Sequence, residues 1–174
     1  MSDAPTPLTP AAVAPLLRST LATLIAEVDA LSAEALAWHP AAGEWCVKEV
    51  LGHLIETERR GFAGRIRIIL AGQKRLEIWD QTAVAAARRD CERDARALLG
   101  ELAAMRQEGV QLVEHLGPGD LSRGGEHPTV GHLTVADLLN EWIHHDRNHV
   151  RQILANVQAS VWPHMGNARR FSAS

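Results

Sequence analysis

Apolar residues recur at helical spacing in four long stretches of this chain. The first runs from Thr9-Pro10 to about Leu31, with Val13, Leu17, Leu21, Leu24, Ile25, Val28 and Leu31 on one stripe. Thr9 reads as a helix cap and Pro10 as a first-turn proline, whose missing N–H costs nothing there. Pro15 is compatible with a kink or with a start nearer Ala14. The second stretch runs from Cys46 to about Ala71 through Val47, Val50, Leu51, Leu54, Ile55, Phe62, Ile66 and Ile69. The third begins near Thr82, pauses near Asp90 and continues to about Leu116 through Ala95, Leu98, Leu99, Leu102, Met105, Val110 and Val113. Gly109 weakens it without ending it. The fourth opens at Thr134, with Asp137 as the acidic partner of a capping box, and runs to about Ser160, where Trp162-Pro163 closes it.

The connections differ in length and chemistry. Ser32 to Trp45 holds a short acidic turn and then Trp38-His39-Pro40-Ala41-Ala42-Gly43-Glu44-Trp45, which proline and glycine exclude from regular helix. Gly72 to Gln81 carries Trp79, and Gly117-Pro118-Gly119 opens a polar, glycine-rich connection reaching Leu133. No segment alternates convincingly as a strand. Four long helices with unequal connections predict an all-α fold, a four-helix bundle. The bundle is expected to occupy residues 9–162 as a single domain, with a loose N-terminus at 1–8 and a tail at 163–174.

Composition narrows the function classes. At 174 residues and 46% hydrophobic content the chain can bury a core without staples. The two cysteines, Cys46 and Cys91, make no disulfide framework, and the N-terminus does not resemble a signal peptide, so a cytoplasmic location is expected. Charges are expected to interrupt every run long enough to span a bilayer. The net charge of −3 gives no general affinity for nucleic acid. Arg59, Arg60, Arg65, Arg67, Lys74 and Arg75 form a basic run, but only Phe62 offers a stacking ring, and Glu58 and Glu77 flank it. It reads as a solvated helix face or a site for an acidic ligand, and nucleic acid is not an expected partner.

The candidate chemistry lies in the fourth helix. His145 and His149 stand four positions apart, so their imidazoles rise from one face about a turn apart, the spacing of two ligands on one ion. His144 and His149 point to different sides. The same residues also fit a core line through Val135, Leu138, Trp142, His145, His149 and Ile153, in which the histidines are buried and hydrogen-bonded. His53, near the inward arc of the second helix, completes a three-histidine site if the second and fourth helices are neighbours. Three neutral ligands leave an ion its full charge and an open position, the arrangement of a reactive centre. Zinc or nickel is favoured, and iron or manganese is compatible. Glu141, four residues before His145, and Glu49 and Glu56, flanking His53, are candidates to orient an imidazole or to act as a base. Each fits an ordinary surface contact as well.

Trp38, Pro40, Gly43-Glu44-Trp45, His53 and His145-Asp146-Arg147-Asn148-His149 with Gln152-Ile153 together resemble the DinB-like superfamily. The likeness extends from the first helix to about Leu154. It implies a four-helix bundle and a divalent metal held by His53, His145 and His149, and it implies frequent homodimers. Bacillithiol transferases and mycothiol-dependent maleylpyruvate isomerases belong to this superfamily, and some relatives are induced by stress. The resemblance therefore implies a thiol-dependent S-transferase, in which the metal activates a low-molecular-weight thiol against a small-molecule electrophile at the bundle mouth. A metal-dependent hydrolase or a non-catalytic metal- or ligand-binding stress protein is the alternative. Cys46 stands where relatives often carry serine.

Overall fold

A computed structural model describes residues 6–172. Residues 1–5 of the expected loose N-terminus and 173–174 of the tail lie outside the described residues. The first helix, α1, spans Pro10–Ala30, and the Thr9 hydroxyl accepts from the Ala12 N–H at 3.3 Å. Pro15 sits inside α1 without ending it. Val13, Leu17, Leu24 and Val28 form its buried stripe, whereas Ile25 is turned out. A short helix, α2 (Ala33–Ala37), capped by Ser32, occupies the acidic turn.

The second long stretch is three pieces in one line: α3 (Val47–Glu56), a π turn over Thr57–Gly61, and α4 (Phe62–Leu70). In the π turn the Phe62 N–H reaches back to the Thr57 carbonyl. Single π turns inside α-helices are frequent at functional sites. The pause near Asp90 is a true break. Helix α5 (Gln81–Arg88) ends at Arg89, whose φ of 51° lies in the left-handed region. A 3-10 turn over Asp90–Glu92 follows, then α6 (Ala95–Glu114), capped by Asp94.

One expectation is corrected between α6 and the last helix. The polar connection contains a hairpin, β1 (Gly124–His127) antiparallel to β2 (Gly131–Thr134), with Gly124 opposite Thr134 and His127 opposite Gly131. Its strands lack the alternation that marks a half-buried sheet. They are held partly by distant backbone: the Glu126 N–H donates to Lys74 O at 2.7 Å and the Leu76 N–H to Glu126 O at 2.9 Å. The last helix, α7 (Val135–Val161), starts with both bonds of the Thr134–Asp137 capping box. Beyond it the chain turns through 3-10 segments at Trp162–His164 and Gly166–Phe171.

Helix α1 packs chiefly on α6 and α7, and α3 packs on the same two helices, so α1 and α3 occupy one diagonal of the bundle. By length and composition α1 is long and apolar enough to cross a membrane, with a mean hydropathy of 1.4, which corrects the expectation that charges interrupt every such run. In this fold its apolar stripe belongs to the core. The core is split in two. One cluster gathers Leu17, Phe62, Ile66, Val113, Leu139 and Trp142, and the other Leu24, Leu51, Leu54, Leu98, Leu102 and Ile153. Along α6 and α7 the residues between the clusters are Arg106 and His145 to His149, so a polar layer separates them.

Candidate metal centre

His53 projects from α3 and His145 and His149 from α7, two helices in direct contact. His53 Nε2 lies 3.0 Å from His145 Nε2, and His149 Nε2 lies 3.2 Å from His145 Nε2. All three donor atoms fall within 4.8 Å of one another. Nitrogens bound at 2.0–2.1 Å to a tetrahedral ion stand roughly 3.3 Å apart, so the cluster needs little adjustment to meet around one ion.

Electrostatics favours the ligand form. Burial, reinforced by the His149 and His145 rings, lowers His53 to about 3. His145 is lowered to about 3 by burial, then by His149 and Arg106. Burial lowers His149 as well. Neutral imidazoles carry one N–H and one lone pair each. The His149 Nδ1–H donates to Gln152 Oε1 at 2.9 Å, which fixes the tautomer and turns the Nε2 lone pair toward the cluster. Three such nitrogens in close approach cannot all be satisfied by sharing ring protons, whereas one cation satisfies all of them.

Aromatic rings enclose the cluster. Trp45 lies 5.0 Å from His53 and 6.5 Å from His149 between ring centres, Phe62 meets His145 edge-on at 5.1 Å, and Trp79 lies 6.2 Å from His53. Phe62 and Trp79 also line a cleft of about 1310 Å³ that continues past Arg65, His127, Leu138, Glu141 and His144. The cleft therefore runs beside the histidines rather than being lined by them. His145 and His149 are half-buried, which leaves the cluster approachable.

The glutamates expected beside the imidazoles have other partners. Glu49 is the third residue of α3, so its carboxylate turns back to accept from the Cys46 N–H at 2.8 Å and meets His39 Nε2 at 2.9 Å. Glu56 is buried among Arg59, Arg60 and Arg88 at 2.7–2.8 Å. Glu141 is exposed on the cleft wall. A different carboxylate supports the site. Asp146, between the two α7 histidines, is bound by both terminal nitrogens of Arg106 from α6, and Arg106 Nη2 also meets Glu58 at 2.7 Å. Trp142 Nε1–H donates to Glu58 at 3.1 Å. The sequence carried only a weak sign of this network, namely an arginine and an aspartate on otherwise apolar helix faces.

A second group of donors lies apart from the first: His39, Cys46 and Cys91, again within 4.8 Å of one another. Burial, with Cys91 beside it, pushes the Cys46 thiol up to about 12.

Residues 16–153 match the family model of the DinB superfamily. The structure is similar to that of YfiT from Bacillus subtilis, described as a probable metal-dependent hydrolase with an unusual four-helix bundle topology. The TM-score is 0.81, with 19% identity over 93% of this chain and 93% of that one. At that identity the likeness shows the fold. No curated protein matches the chain.

Proposed function

The chain belongs to the DinB superfamily, and on that premise we propose that it is a metal-dependent enzyme that transfers a low-molecular-weight thiol to a small electrophile, with His53, His145 and His149 as the metal ligands. The observation that carries the reading is the convergence of three neutral Nε2 atoms next to a cleft of about 1310 Å³. That volume is not below the roughly 300–1,000 Å³ of a pocket for a drug-sized ligand. His53, His145 and His149 would hold a divalent ion, whose positive charge would lower the pKa of a thiol or water beside it. The residues do the rest. Gln152 orients His149, and the Arg106–Asp146 pair sets how α7 presents its histidines. Phe62, Trp45 and Trp79 keep bulk water from one side and give an electrophile an apolar surface. In this reading the thiol cosubstrate is the nucleophile, so neither Cys46 nor Cys91 is called on to supply one.

Hydrolysis is the second reading, favoured by the description of YfiT as a probable metal-dependent hydrolase. One experiment separates the two. The purified chain and its His53→Ala, His145→Ala and His149→Ala variants are assayed for bound metal, and the loaded parent is screened on electrophiles and on ester and amide substrates with and without added thiol. About one equivalent at this centre, lost in each folded variant, with turnover only when thiol is present, is the expected result. Turnover indifferent to thiol selects hydrolysis, and a parent that binds no ion at these histidines overturns both readings.

A further inference from the structure

We propose that His39, Cys46 and Cys91, beside the carboxylate of Glu49, form a second cation site that takes a thiophilic divalent ion such as zinc. The three donors come from two separate segments: His39 and Cys46 from the connection between α2 and α3, which ends in the α3 N-cap, and Cys91 from the 3-10 turn before α6. Only the tertiary fold brings them within 4.8 Å of one another. Sulfurs bound at about 2.3 Å to tetrahedral zinc stand roughly 3.8 Å apart, so donors already within 4.8 Å of one another have little distance to close. Cys46 is wholly buried and Cys91 partly so, which gives the sulfurs a protected position with His39 on the solvent side. Glu49 Oε2 stands 2.9 Å from His39 Nε2. A carboxylate on one imidazole nitrogen fixes the tautomer and strengthens the other nitrogen as a donor.

This site differs in kind from the three-histidine centre. Two thiolates balance the charge of a divalent ion, whereas three imidazoles leave it whole, so the sulfur set suits a structural ion and the histidine set a reactive one. Loading replaces the two thiol protons, which pass to solvent, by two metal–sulfur bonds, with no change of oxidation state. Cys46 precedes His53 by seven positions on the helix line, about 10 Å at 1.5 Å per residue, so the two sets cannot share an ion. They are linked through Trp45, which adjoins Cys46 in sequence and rests against His53 and His149. A filled second site ties the start of α3 to the turn before α6 and so steadies the wall of the first.

The test is titration of the reduced, metal-free full chain with cobalt(II) chloride, reading thiolate-to-cobalt charge-transfer absorption and equivalents bound. The expected result is an equivalent that carries this absorption and persists in a His53→Ala/His149→Ala variant. Cys91→Ser removes the absorption while leaving the other equivalent in place. His39→Ala weakens binding at least ~10-fold, the low end for losing even an outer partner of a metal. Cys91 is partly exposed in a short turn, so its serine variant tests the site without emptying the core. Absence of the absorption in the reduced parent at saturating cobalt overturns the proposal, as does an absorption unchanged by Cys91→Ser. A Cys46–Cys91 disulfide in aerobic protein whose reduced form is cobalt-silent also overturns it and marks the pair as a thiol couple.

Discussion

Arg106 and Asp146 form a two-pronged ion pair in the middle of the bundle, Nη1 to Oδ2 and Nη2 to Oδ1, with side-chain exposures of 2% and 1%. Arg106 also serves Glu58, so one guanidinium faces two buried carboxylates. Burial pushes Glu58 up to about 7 against the pull of Arg106, and a proton on Glu58 brings the triad to neutrality. The pair joins α6 to α7 across the polar layer. Because Asp146 lies between His145 and His149, it fixes the rotation of α7 that turns both rings toward α3.

Arg106→Leu is expected to destabilise the protein by about 3–5 kcal/mol, since it strands two buried carboxylates. Urea unfolding followed by circular dichroism measures this. A loss under ~1 kcal/mol would mean that the carboxylates find other partners or simply protonate.

Gln152→Leu removes the acceptor for His149 Nδ1–H without touching a ligand atom. Metal affinity should fall about 10–100-fold, the usual effect of losing a bond that orients a ligand. Competition against a chelator of known affinity reads the change, and unfolding of the metal-free protein serves as the control. Unaltered affinity would show that packing alone orients His149.

The metal-free protein should lose stability in acid. His53 titrates near 6.5 in the unfolded chain but at about 3 in the fold, so between these values only the unfolded chain takes up its proton. Stability contributed by the neutral ring is present above about pH 6.5 and falls as the pH drops toward 3, by up to ~1.4 kcal/mol per pH unit. Glu58 acts in the opposite sense between 4.5 and about 7, where the folded state holds the extra proton. A His53→Ala variant isolates the histidine, because Glu58 is common to both proteins. Its unfolding free energy should change less steeply across this acid range, and a slope equal to the parent's would refute the linkage.

Gly52→Ala should destabilise the fold by about 1–3 kcal/mol, the range for overpacking a close-packed site. A Cβ there would stand 1.7 Å from Asp90 Oδ2. Asp90 cannot swing away easily, because Arg88 and Arg93 grip it at 2.6–3.0 Å. Thermal unfolding is the measurement, and since position 52 precedes His53, metal affinity should fall with it. A variant as stable as the parent would show that the turn over Asp90–Glu92 moves freely.

Several features were not legible in the sequence. The hairpin has no alternating pattern because its pairing with Lys74 and Leu76 is made by backbone about fifty positions away. Glu49 and Glu56 sit at the right spacing from His53, yet His39, the Cys46 N–H and three arginines claim them. The hairpin's partners and Arg88 lie elsewhere in the fold and Glu49 is claimed by the turn chemistry of a helix start, while Arg59 and Arg60 stand only three and four positions from Glu56.

What the sequence determined by itself is what one helix determines by itself. Apolar spacing set the four long helices, Thr9 and Thr134 set two of their starts, and the four-residue interval placed His145 and His149 on one face. These depend on backbone geometry that repeats every 3.6 residues. That α3 lies against α7, with His53 Nε2 3.0 Å from His145 Nε2, was decided only by the tertiary structure. Neighbouring helices are selected by how all the apolar stripes bury at once and by where buried charges such as Arg106 and Asp146 find each other, and no single stretch of the chain carries that information.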